Sequence, residues 1–180
     1  TDFDSNPMQL CVGNGVIDLT RGTAITPMPS MHHSKVACVE FDASAECPRF
    51  MKFLEDIFPN DRELVSYVQK VAGYLLTGST KEQCLFVLLG GGANGKSTLV
   101  NILTELLGDY AANTAASTLM ASNSNQYGDD LIRLAGARLI TASETEHGQR
   151  FAEAKIKSFT GGDKVTGRPL YGSWVDFVPV

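Results

Sequence analysis

Gly90-Gly91-Gly92-Ala93-Asn94-Gly95-Lys96-Ser97-Thr98 joins the least constrained backbone in the chain to one cation and two hydroxyls. A glycine, four residues, then Gly-Lys-Ser is the spacing of a phosphate-binding loop. Glycine takes positive φ and approaches a ligand with no Cβ in the way, so that neighbouring N–H groups can converge on phosphate oxygens. A helix beginning near Lys96 adds its own free N–H groups and the positive end of its dipole. In such a loop Lys96 reaches the β- and γ-phosphates, and the Ser97 hydroxyl is a ligand to Mg²⁺.

That chemistry needs an acid to hold the metal and orient the attacking water, placed at the end of a neighbouring strand. "LITASETE" offers two. Leu139 to Ala142 reads as the strand, with Glu144 and Glu146 at its C-terminal end, on the same side if the extended form continues. Glu144 is assigned to Mg²⁺ and water and Glu146 as a second carboxylate. Solvated loop acids are the competing reading for both.

The elements that must position these groups can be read from periodicity. Leu85-Phe86-Val87-Leu88-Leu89 is a short apolar run, as expected of a strand buried on both faces. Leu99, Ile102, Leu103, Leu106 and Leu107 recur at helical spacing, and Gly108 stops the helix. "AANTAAST" reads as a short strand, and a helix is expected after Asp129 or Asp130. This alternation of strands and helices predicts an α/β layer with a largely parallel sheet.

Residues up to about Gly78 differ in style. Asn14-Gly15 between two apolar runs predicts a hairpin, and Thr20 to Gly22 a second turn. Pro27 and Pro29 mark a loop, and "KVACVEFD" reads as a strand. Pro48 opens a helix running to about Phe58, with Phe50, Phe53, Leu54 and Ile57 on one face. Asn60, with Glu63 three residues on, starts another that Gly78 ends. Nothing in this region has the spacing of a catalytic site.

The formal charge of −5 argues against a protein that coats nucleic acid with its whole surface. It leaves room for a local basic element, and Arg138, Arg150, Lys155, Lys157, Lys164 and Arg168 supply one. "DKVTGRPLY" has hairpin-like content, with Lys164 and Arg168 near its tip. Tracking a phosphate backbone and ordinary surface charge are both open for it. Cys11, Cys38, Cys47 and Cys84 form no C-x-x-C pair and, with His32 and His33, match no common zinc pattern. They suit a reducing, intracellular setting. No run is long enough for a signal peptide or membrane span.

"GGGANGKSTL", "GARLITASETEHG", "KIKSFTGGDKVTGRPLYG" and "FVP", in this order and spacing, resemble the superfamily 3 helicases. More narrowly they resemble the phage and plasmid primase–helicase family with its poxvirus-like members. "VGNGVIDLTRG" is similar to the hairpin opening that family's N-terminal domain, and "LLTGSTKEQCLFVLLG" to its join to the ATPase. The resemblance covers nearly all of the chain. It implies an α/β, AAA+-like P-loop ATPase core with a mostly parallel sheet over 79–180, preceded by a small α+β accessory domain over 1–78.

The implied activity is that of an ATP- and Mg²⁺-dependent DNA helicase. It would be a homo-hexamer translocating on single-stranded DNA held in a central pore, replicating a phage, prophage or plasmid in the bacterial cytoplasm. A primase domain or other replication proteins would be its partners, with no membrane involved. Lys96, Ser97 and Glu144 then take the roles given above. Lys157, Lys164 and Arg168 match basic positions around a hairpin that contacts DNA. An ATPase of another kind, a loader or remodeller that does not unwind, is the alternative. The family pattern runs on to a sensor asparagine and arginine fingers, expected beyond Val180. With a threonine first and Val178-Pro179-Val180 last, a fragment truncated at its C-terminus is expected.

Overall fold

Alternation of apolar residues builds the first sheet. In a computed structural model, which describes residues 3–121, 129–143, 150–168 and 172–180, β1 (Gln9–Val12), β2 (Gly15–Asp18) and β3 (Thr23–Ile25) pair antiparallel in that order. Leu10, Val12 and Val16 are buried, as period-2 patterning requires. The β1–β2 register closes at Val12↔Gly15. The loop is therefore Gly13-Asn14, one residue earlier than the Asn-Gly pair suggests. Asn14 also ties the hairpin to a later segment. Its amide donates to the Phe41 carbonyl, and its Oδ1 accepts the Phe41 N–H, both at 2.9 Å.

The strand expected over "KVACVEFD" shrinks to one parallel bridge, Val12↔Ala37. β1 ends at Val12 and turns at Gly13, so the ladder has no room to grow. Two hydrogen bonds, Ala37 N–H to Cys11 O (2.9 Å) and Gly13 N–H to Val39 O (2.8 Å), are what it supports.

Three helices follow in this unit. α1 (Pro48–Ile57) carries its proline in the first turn, where the missing N–H costs nothing. α2 spans Arg62–Leu75, and Asp61 caps it by accepting the Leu64 N–H at 2.9 Å. The expected cap, Asn60, instead takes φ +62° in the connecting turn, a conformation that asparagine tolerates. α3 (Lys96–Leu107) ends at Gly108, φ +54°. A Cβ there would lie 2.6 Å from Cys38 Sγ and 2.8 Å from its backbone nitrogen, so only glycine fits. Leu54, Val65 and Leu99, one from each helix, form the core with Phe50, Phe53, Ile57, Val68 and Leu103 around them.

The chain divides into two units, Thr1–Thr77 with Val87–Gly108, and Gly78–Phe86 with Asp109–Val180. The phosphate loop and α3 thus pack within the same unit as the N-terminal sheet and helices, whereas the sequence pattern places a boundary at 78/79. The strand expected over Leu85–Leu89 is not formed. No strand among the described residues pairs with it, and Leu89 is 86% exposed. Hydrophobicity alone does not make a strand without a neighbouring edge to bond.

In the second unit, β4 (Ala111–Ala115) and β5 (Leu139–Ser143) run parallel, in register from Ala111↔Leu139 to Ala115↔Ser143. α4 (Asp129–Ile132) and α5 (Glu153–Gly161) accompany them, α5 stopping at Gly162 with φ +73°. β6 (Val165–Gly167) and β7 (Val175–Phe177) form an antiparallel hairpin. Leu131, Leu134 and Val165 make the core, with Ala112, Ile140, Phe159 and Phe177 packed against them. Arg138 is buried, its guanidinium 4.5 Å from the centre of the Tyr110 ring. No helix among the described residues is long and apolar enough to cross a membrane.

Candidate functional site

Positive φ bends the loop before α3. Gly90 is at +151°, Ala93 at +58° and Gly95 at +81°. Gly95 is the residue that leads into α3, and α1 is its floor: a Cβ on Gly95 would lie 2.6 Å from Ile57 Cγ2 and 3.3 Å from Phe53 Cε2. Glycine is therefore required twice at this position, by conformation and by contact.

Lys96 turns its ammonium back into the loop. Nζ donates to the carbonyls of Gly90 and Gly91, each at 2.9 Å, and to Asn94 Oδ1 at 2.6 Å. Ser97 and Thr98 lie exposed in the first turn of α3. A glycine-lined bend, a cation held at its centre and the amino end of a three-turn helix suit a phosphate group. Ser97 has the hydroxyl and the exposure to be a Mg²⁺ ligand. Glu144 and Glu146 lie outside the described residues; β5 runs up to Ser143, and Glu144 is the next residue in the chain. Among the described residues no cluster of His, Cys, Asp or Glu has the makings of a metal site, and none of the four cysteines forms a disulfide.

The basic residues separate into distinct environments. Arg138 is buried, and the half-buried Lys155 donates to Thr118 O at 3.3 Å, so neither belongs to a basic surface. Lys157 is exposed on α5. Lys164 stands at the base of the β6–β7 hairpin rather than near its tip, because the arms are 165–167 and 175–177. There its Nζ pairs with Asp176 Oδ2 at 2.7 Å. Thr166 Oγ1 donates to the other carboxylate oxygen at 2.6 Å. The Lys164 and Thr166 hydrogen bonds hold the Asp176 carboxyl below the usual carboxylate range.

Arg168 begins the tip. Its Nε donates to Gly172 O at 2.9 Å, and its guanidinium carbon sits 5.9 Å from the centre of the Trp174 ring. Trp174 is a site candidate that sequence reasoning missed. A lone aromatic has no period, and only the hairpin register brings it beside Arg168.

Comparison with known proteins adds a lineage to this geometry. Residues 1–59 match the family model described as "D5 N terminal like". A protein of Acanthamoeba polyphaga mimivirus named "Putative helicase" is 30% identical over 99% of the chain. Proteins of African swine fever virus isolates named "Putative primase" are 25% identical over 93% of it. The chain spans 19% of the mimivirus protein and 18% of the swine fever virus proteins. These relatives are thus longer viral proteins named as helicase and primase.

Proposed function

We propose that this chain is part of an ATP-dependent DNA helicase acting in replication of a virus-like or mobile element. The fold proposed for 79–180 is an AAA+-like P-loop core following an accessory region. One observation carries the reading: a glycine loop with the Gly-Lys-Ser spacing holds the Lys96 ammonium at its centre and opens directly into α3. The names of the viral relatives support a replication role.

In this reading, Lys96 exchanges the three loop oxygens for the β- and γ-phosphate oxygens of ATP, neutralising charge as the γ-phosphoryl group departs. Loop amides and the N-terminus of α3 orient the phosphates. Bound Mg²⁺ supplies Lewis-acid charge stabilisation, with Ser97 and Glu144 as its proposed protein ligands. Glu144 orients and polarises the attacking water, and Glu146 is a second carboxylate beside it. The Lys157, Lys164 and Arg168 region is the proposed DNA-contacting element. A hexamer around a central pore is the assembly in which such an element would meet a single strand.

ATP hydrolysis by the complete polypeptide, with and without single-stranded DNA, tests this. Stimulation by DNA that is lost in Lys96→Ala is expected. Glu144→Gln should keep ATP binding while hydrolysis falls by orders of magnitude, since the substitution removes the charge that holds the metal. Unchanged turnover in Lys96→Ala rejects the site. Hydrolysis indifferent to DNA rejects the helicase assignment and favours a loader or remodeller.

A further inference from the structure

The β6–β7 hairpin has two chemically distinct faces. Register pairs Thr166 with Asp176 and Gly167 with Val175. Period-2 alternation then places Lys164, Thr166 and Arg168 on one face with Trp174 and Asp176. Val165 and Phe177 face the core on the other. The outward face is solvent-exposed throughout, and Trp174, the largest side chain in the sequence, is 68% exposed there. Its neighbour Arg168 is held by Gly172 O and lies over the indole. The carboxylate on this face is engaged by Lys164 and Thr166, which reduces the repulsion that a polyanion would meet.

We infer that Trp174 is a base-stacking platform for single-stranded DNA, with Arg168 beside it as the phosphate contact. The inference rests on the DNA-binding part of the reading above and assigns a residue to it. An exposed indole flanked by a guanidinium suits a nucleobase joined to a phosphate, because every base offers a π-face and every linkage a negative charge. A purely basic surface would bind the backbone and ignore the bases.

Trp174 is the only tryptophan in the chain, so its fluorescence reports on this site directly. Short oligothymidylate is titrated into the 180-residue chain while its binding is followed independently by anisotropy of a 5′ label. Indole quenching should saturate together with anisotropy. Trp174→Ala should weaken binding by about tenfold or more, and Trp174→Phe should retain most of it. An abasic oligomer of equal length should bind the native chain as weakly as oligothymidylate binds Trp174→Ala. Circular dichroism confirms that both variants fold. Anisotropy change without quenching, or equal affinity for the abasic and thymidylate strands, overturns the stacking platform and leaves the ATPase reading standing. Absence of any binding overturns the platform and the DNA contact together. Failure of the ATPase reading is seen separately, in hydrolysis by Lys96→Ala.

Discussion

Lys96 donates to three oxygens of its own loop, so its charge is already satisfied before a nucleotide arrives. A phosphate must replace those bonds with stronger, charge-assisted ones. Lys96→Ala removes the exchange without touching the core formed by Leu54, Val65 and Leu99. ATP affinity measured by calorimetry should fall by at least tenfold, and the thermal midpoint should be nearly unchanged. Asp176 makes a second prediction at this scale. Its carboxyl is held below the ordinary value of 3.8, so the folded state favours the charged form. The resulting contribution to stability is present above about pH 3.8 and is lost as pH falls through the lower, folded value. An NMR titration of the Asp176 carboxyl should show the depressed midpoint. Lys164→Ala, which removes the largest cause, should move it back toward 3.8.

α1, α3 and the loop that leads into α3 act together as an element pair. Gly95→Ala adds a methyl that meets Ile57 Cγ2 at 2.6 Å, at a φ of +81°. Overpacking and left-handed strain together should destabilise the chain by about 2–4 kcal/mol, read as a lower urea midpoint at unchanged slope. At this scale the sequence was legible where periodicity and punctuation agreed. The stripe from Leu99 to Leu107 with Gly108 behind it marked α3, Pro48 marked the start of α1, and "RLITAS" marked β5. It was less legible where an element depends on a partner. Leu85–Leu89 has the composition of a buried strand, but pairing cannot be read from one segment. "KVACVEFD" failed for the same reason, limited by the four-residue length of β1. For the candidate site, the loop spacing singled out Gly90 to Thr98 as the segment proposed to hold phosphate. No local signal marked Trp174, whose interest arises from a cross-strand register, or the diversion of Lys164 to Asp176.

Across the whole molecule, a net charge of −5 coexists with two exposed cations, Lys157 on α5 and Arg168 at the hairpin. Binding to single strands should therefore depend on salt only weakly. Two phosphate contacts would give a slope of log affinity on log salt of about −1.4. Asp176→Asn, which releases Lys164 from its 2.7 Å partner, should steepen the slope to about −2.1, and Arg168→Ala should flatten it to about −0.7. Affinities measured over a salt series check all three.

The seat of Gly95 on Phe53 and Ile57 bears on how such a chain can be reshuffled over generations. Recombination that exchanged the first 78 residues for those of a relative would also exchange the surface on which the loop glycine rests. Progeny would stay viable only where the incoming helix offered a matching hollow at those two positions. Residues 53 and 57 should therefore be inherited together against an unchanging glycine at 95, with a change in one accompanied by a change in the other, and crossovers that survive should fall outside the interval from Pro48 to Leu107.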